Sequence, residues 1–85
     1  MSFAPTSIVM LDASIALAGG MQAIARGENE IDLSQLVSFD SSAVSAVLAW
    51  QRAAAGRGSS LSIHGMPAGL RSLAQLYGVD ALLAG

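Results

Sequence analysis

Ile31-Asp32-Leu33-Ser34-Gln35-Leu36-Val37-Ser38-Phe39-Asp40-Ser41-Ser42-Ala43-Val44 is the stretch whose reading decides the fold. Glu30-Ile31-Asp32-Leu33 alternates polar and apolar residues, the pattern of a strand with one covered face. Leu36 to Phe39 follows as a loop or a second short extended piece. Asp40-Ser41-Ser42 then places three helix-opening side chains in a row, whose oxygens can accept from the free N–H groups of a first helical turn. The pattern predicts a helix from about Ser41 to Ala55, ended by Gly56 and Gly58.

Upstream, Ser7-Ile8-Val9-Met10-Leu11 is a short apolar run with β-branched members and reads as a strand. Asp12 is placed to cap a helix in which Leu17, Met21, Ile24 and Ala25 recur at helical spacing, with Arg26-Gly27 as its stop. Gly19 and Gly20 each cost that helix about 1 kcal/mol relative to alanine, which predicts the softest helix of the fold. Downstream, Ser60-Leu61-Ser62-Ile63-His64 alternates and reads as a strand. Pro67 suits the first turn of a third helix, with Leu70, Leu73, Ala74 and Tyr77 as its stripe and Gly78 past its end. Val79 to Leu83 is expected to add a last helical turn.

The order expected is β-α-β-α-β-α, whose strands run parallel through right-handed crossovers. Two of the strands alternate, whereas a sheet covered on both faces favours continuous apolar strands. The fold class expected is therefore a small α/β domain, a mainly parallel sheet with helices packed on one face. At 85 residues the chain is one domain, residues 1–85.

A domain this small buries roughly 60% of the surface its unfolded chain exposes. The chain is nevertheless 53% hydrophobic, much of it alanine, with only 5% aromatic residues. Part of that apolar surface must stay exposed, and exposed apolar patches mark contact sites. Net charge is −2, and the four basic residues are the scattered Arg26, Arg52, Arg57 and Arg71, with no lysine. Nucleic-acid binding draws on clustered basic charge, which is absent. Without cysteine there is neither a disulfide framework nor a thiolate metal site. No apolar run reaches the roughly 20 residues of a bilayer span. The N-terminal residues lack the basic region of a signal peptide, so a cytoplasmic location is expected.

Catalytic chemistry finds little footing. A phosphate-gripping loop of the Gly-x-x-x-x-Gly-Lys kind needs a lysine. His64, the single histidine, would need a nucleophile and an orienting acid beside it. Asp32 and Asp40 near strand ends could share a Mg²⁺ with a nucleotide's phosphates, but each residue type also ends a strand or caps a helix routinely. Capping is the favoured reading, with no cofactor or metal expected.

The second helix carries the strongest signal. Capping explains one of Asp40, Ser41 and Ser42 but does not need all three. Between Ala43 and Ala55 only Ser45, Gln51 and Arg52 are polar. Ala43, Val47, Trp50 and Ala54 form one stripe; Val44, Leu48 and Ala55 form another. A helix apolar nearly all round needs cover on more than one side. One layer of helices cannot supply it, which predicts a protein partner. The expected contact residues are Asp40, Ser41 and Ser42 at the tip, with Ser45, Ala46, Ala49 and Trp50 along the ridge.

The run from Ile31 to Val44 resembles the core motif of STAS domains: a strand ending in Asp-Leu-Ser, a short link, then Asp-Ser/Thr-x-Gly-Leu opening a helix. Leu73-Ala74-Gln75-Leu76-Tyr77-Gly78-Val79 is similar to the C-terminal helix of the MlaB-like branch of that family. The resemblance covers roughly Ser7 to Leu83. It implies a sheet packed on one side by helices, a cytoplasmic protein, and docking on the ATPase subunit of a phospholipid-transporting ABC system, without a nucleotide-hydrolysing site. It also implies that Ser41 matches a functionally important threonine of the MlaB-like branch. Ser42 matches the serine phosphorylated in anti-sigma factor antagonists, whose phosphorylation switch is the alternative function. Ala43 stands where the motif has glycine, which implies a changed approach of a partner backbone. Many STAS domains also carry a strand ahead of Ser7, so a smaller sheet, or an edge completed by another chain, is expected.

Overall fold

Short apolar runs separated by strong turn signals produce short strands here and three helices. The computed structural model describes residues 3–79. Its elements are β1 (Ser7–Ile8), α1 (Ala13–Ala25), β2 (Glu30–Asp32), β3 (Ser38–Phe39), α2 (Ser41–Gly56), β4 (Ser62–His64) and α3 (Ala68–Leu76). The order differs from the expected one by a fourth strand. Leu36–Phe39 resolves into β3 because Val37 N donates to Thr6 O at 2.9 Å and Asp40 N to Ile8 O at 3.3 Å. The expected last turn at Val79–Leu83 lies outside the described residues from position 80 on.

β1 pairs in parallel with β3, and β2 in parallel with β4, with Ile31 opposite Ile63 and Asp32 opposite His64. Phe3 makes a parallel bridge to Ile31, and its carbonyl accepts from Asp32 N at 2.9 Å. Residues 3–8 therefore run between the two pairs and join them, in the spatial order β3, β1, β2, β4. The β1-α1-β2 and β3-α2-β4 connections cross this sheet in the same direction. Right-handed crossovers then place α1 and α2 on the same face. Away from them, the exposed Glu30 and His64 side chains meet across β2 and β4 at 3.1 Å.

The first strand stops earlier than its apolar run. Asp12 sits at the N-cap position of α1 but makes no side-chain cap bond to that helix. Its carboxylate reaches backwards instead, accepting from Val9 N at 2.8 Å and Ser7 Oγ at 2.7 Å. Val9 to Asp12 is thereby closed into a turn, with Asp12 N donating to Val9 O at 3.0 Å.

The core lies between the sheet and α1, α2 and α3, and its largest fully buried side chains include Trp50, Ile8, Ile31, Leu33 and Leu70. Trp50 points into the α1–α2 contact, where its Nε1–H donates to Leu17 O at 3.1 Å. Phe3 meets it edge-on, with ring centroids 5.6 Å apart. Gly19 and Gly20 are therefore packing residues: a methyl at Gly19 would lie 2.6 Å from the Phe3 ring, and one at Gly20 would overlap the Trp50 indole. α3 packs on α2 through Leu70 and Ala74, with Gly69 pressed against the Phe39 ring. Tyr77 leaves the expected core stripe of α3 and is 54% exposed. No helix among the described residues is long and apolar enough to cross a membrane.

Candidate functional site

Asp40 opens α2 as the sequence predicts, in extended conformation with its carboxylate on the first turn. Oδ1 accepts from Ser42 N at 2.9 Å and from the Ser42 hydroxyl. Oδ2 accepts from Met10 N, thirty residues away in sequence, at 3.0 Å. One carboxylate thus caps the second helix and ties it to the turn after β1. The Ser42 hydroxyl, then the Met10 and Ser42 amides, hold the Asp40 carboxyl below its ordinary value of 3.8. Asp12 is lowered likewise, first by the Ser7 hydroxyl and then by the Val9 amide.

The side chains around this cap enclose a groove of about 450 Å³. Val44 and Leu48 of α2 form its floor, and Ser41, Ser42 and Ser45 its hydroxyl-bearing edge. Met10 walls it on one side; Tyr77 and Val79, past the end of α3, wall it on the other. Leu48 is shared with a shallower depression of about 230 Å³ lined by Gln51, Arg52 and Ala55, so the concavity continues along α2. Met10 is 76% exposed. The concavity combines apolar area with three hydroxyls along one edge.

The predicted contact residues separate into two sets. Asp40, Ser41, Ser42 and Ser45 lie at the groove or cap it. Trp50 and Ala46 do not: they are 0% and 4% exposed, sealed within the folded chain, and the expected ridge is corrected by a rotation of the helix. The Ala43-Val47-Trp50-Ala54 stripe is the inner face, because Gly20 of α1 lets Trp50 approach that helix closely. Ala49 is half-buried and does not line the groove. The outward face is the 41, 45, 48, 52, 55 stripe instead. Ala43 is also fully buried, so the alanine at the motif's glycine position alters internal packing and not the surface offered to a partner. Met10, Tyr77 and Val79 escaped the sequence reading. Met10 sits in a run indistinguishable from a strand, and Tyr77 at core spacing on its helix.

Among the described residues the carboxylates and the histidine are engaged elsewhere. His64 pairs with Glu30 on the sheet and does not line the groove. A carboxylate held below its ordinary pKa by three donors is a weak proton acceptor, which is the situation of Asp40 beside Ser42. Asp32 spends Oδ1 on Ser34 N at 2.8 Å, while Asp40 is committed to Ser42 and Met10. Among the described residues no group of three or more His, Cys, Asp or Glu side chains is placed to hold a metal ion.

A family model described as an Mlab, STAS domain matches residues 8–84. The chain belongs to the STAS domain family. No curated protein and no solved structure gives a significant match. STAS domains are generally non-catalytic and serve as small accessory or regulatory modules. In this STAS domain the matched segment takes in the Asp40 cap, the serine edge and both apolar walls of the groove.

Proposed function

We propose that the chain is a non-catalytic accessory subunit that docks on the ATPase of a phospholipid-transporting ABC system, through the groove at the start of α2. The description of the matching family names the MlaB type, which favours this partner class. The observation that carries the reading is the joint exposure of Ser41 and Ser45 beside the apolar Met10 and Tyr77, on a helix whose opposite face is buried. A partner helix laid there would cover apolar surface and meet hydroxyls able to donate or accept. The working location would be the cytoplasmic side of the inner membrane, reached through the transporter.

The antagonist reading, with Ser42 as phosphate acceptor, has less support. The Ser42 hydroxyl is turned onto the Asp40 carboxylate, and a phosphate there would face an ionised group.

Co-purification of the chain with an ABC-transporter ATPase from the same genome tests the proposal. Ser45→Arg should abolish association by filling the groove, and Ser59→Arg, beyond the far end of α2, should leave it intact. Association of Ser45→Arg at wild-type strength overturns the proposed surface.

A further inference from the structure

The turn between β1 and α1 presents Leu11 at its tip, 96% exposed, the most exposed large apolar side chain of the described residues. Apolar loop tips are usually mobile. This one is held by four hydrogen bonds within six residues and across to α2. Asp12 Oδ1 accepts from Val9 N at 2.8 Å and Oδ2 from Ser7 Oγ at 2.7 Å. Asp12 N donates to Val9 O at 3.0 Å, and Met10 N to Asp40 Oδ2 at 3.0 Å. The backbone of the turn thus has little conformational entropy left to lose on binding, and Leu11 projects from it into solvent. Its neighbour Met10 is already a wall of the groove, so whatever fills the groove passes beside Leu11.

Resting on the proposed function, we propose that Leu11 is a preformed anchor that inserts into an apolar pocket on the ATPase subunit, a pocket bordered by positive charge. Asp12 and Asp40 are both ionised at neutral pH, and no arginine pairs with either. An anionic bilayer surface would repel that pair, and membrane anchoring draws on flanking basic residues that this turn lacks. A basic-rimmed protein pocket satisfies both the leucine and the carboxylates.

The test is affinity of the full chain for the ATPase subunit, with Leu11→Ser, Leu11→Met, Val37→Ser and Ser45→Arg compared. Val37 is a similarly exposed apolar residue at the opposite end of the strands. Leu11→Ser should weaken binding at least tenfold, Leu11→Met should restore most of it, and Val37→Ser should match wild type. Rising salt should weaken the wild-type complex. Leu11→Ser within twofold of wild type, with Ser45→Arg abolishing binding, overturns the anchor and leaves the groove standing. Wild-type chain that fails to bind the ATPase overturns both. Two other occupants would also overturn the anchor: self-association in sedimentation lost on Leu11→Ser, or Leu11-dependent flotation with phosphatidylglycerol vesicles.

Discussion

The indole of Trp50 occupies the space that a side chain at position 20 would need. A methyl group on Gly20 would stand 2.8 Å from Cδ1 and closer still to Nε1 and Cε2. The same indole is hydrogen-bonded to Leu17 O and fully buried, so it has no room to withdraw. This contact turns the hydrophobic stripe of α2 inward and leaves its serine stripe outside.

Gly20→Ala should therefore destabilise the domain by about 1–3 kcal/mol, the usual cost of overpacking, despite a propensity gain of about 1 kcal/mol. Gly19→Ala should cost less, because it meets the far edge of the half-buried Phe3 ring. Urea midpoints of the two variants check the ranking; equal midpoints would remove the interlock as its cause.

Gly56 offers the converse. It ends α2 without a positive φ, and nothing lies within 4 Å of where its side chain would go. Gly56→Ala should stabilise by about 0.4–1 kcal/mol, measurable as a raised urea midpoint at unchanged slope.

Trp50→Ala should cost about 3–5 kcal/mol, most of the stability of a domain this size. Its effect on partner binding should follow its loss of folded protein. Trp50→Phe keeps much of the volume and should bind the ATPase near wild-type strength while melting earlier. A binding defect in folded Trp50→Phe would put the indole back at the interface.

The carboxylates set an acid limit. Folding lowers the pKa of Asp40, Asp12 and Asp32 from 3.8, so the fold favours their ionised forms. That stabilisation is complete above the ordinary value and is lost as pH falls through the lowered ones. The melting temperature should be nearly flat from neutrality to about pH 5 on this account and fall steeply below it. Asp40→Asn should melt earlier at neutral pH and show a shallower acid limb, since one amide oxygen cannot serve Ser42 and Met10 as the carboxylate does.

Much of the fold was legible in the chain. The helix at Asp40-Ser41-Ser42 begins where the capping side chains stand, because an N-cap is a local hydrogen bond. Pro67 and Gly78 bracket α3 for equally local reasons, one at the N-cap and the other at φ +71°. The extent of β1 was not legible. Asp12 closes Val9 to Leu11 into a turn by reaching back across it, a choice its residue type leaves open.

The sequence by itself determined the α/β class, the parallel strands, the helix starts and the family motif, since these follow from hydrophobic period, turn and capping residues and chirality over a few residues; the fourth strand, β3, came only with its pairing to β1. Which face of α2 looks outward was decided only by tertiary structure. Alanine-bearing and serine-bearing stripes two residues apart differ little in local energy. The deciding term is the seat that Gly20 of α1 opens for Trp50, thirty residues away in the chain. The groove likewise exists only once Met10, Ser41 and Tyr77 meet from three separate segments.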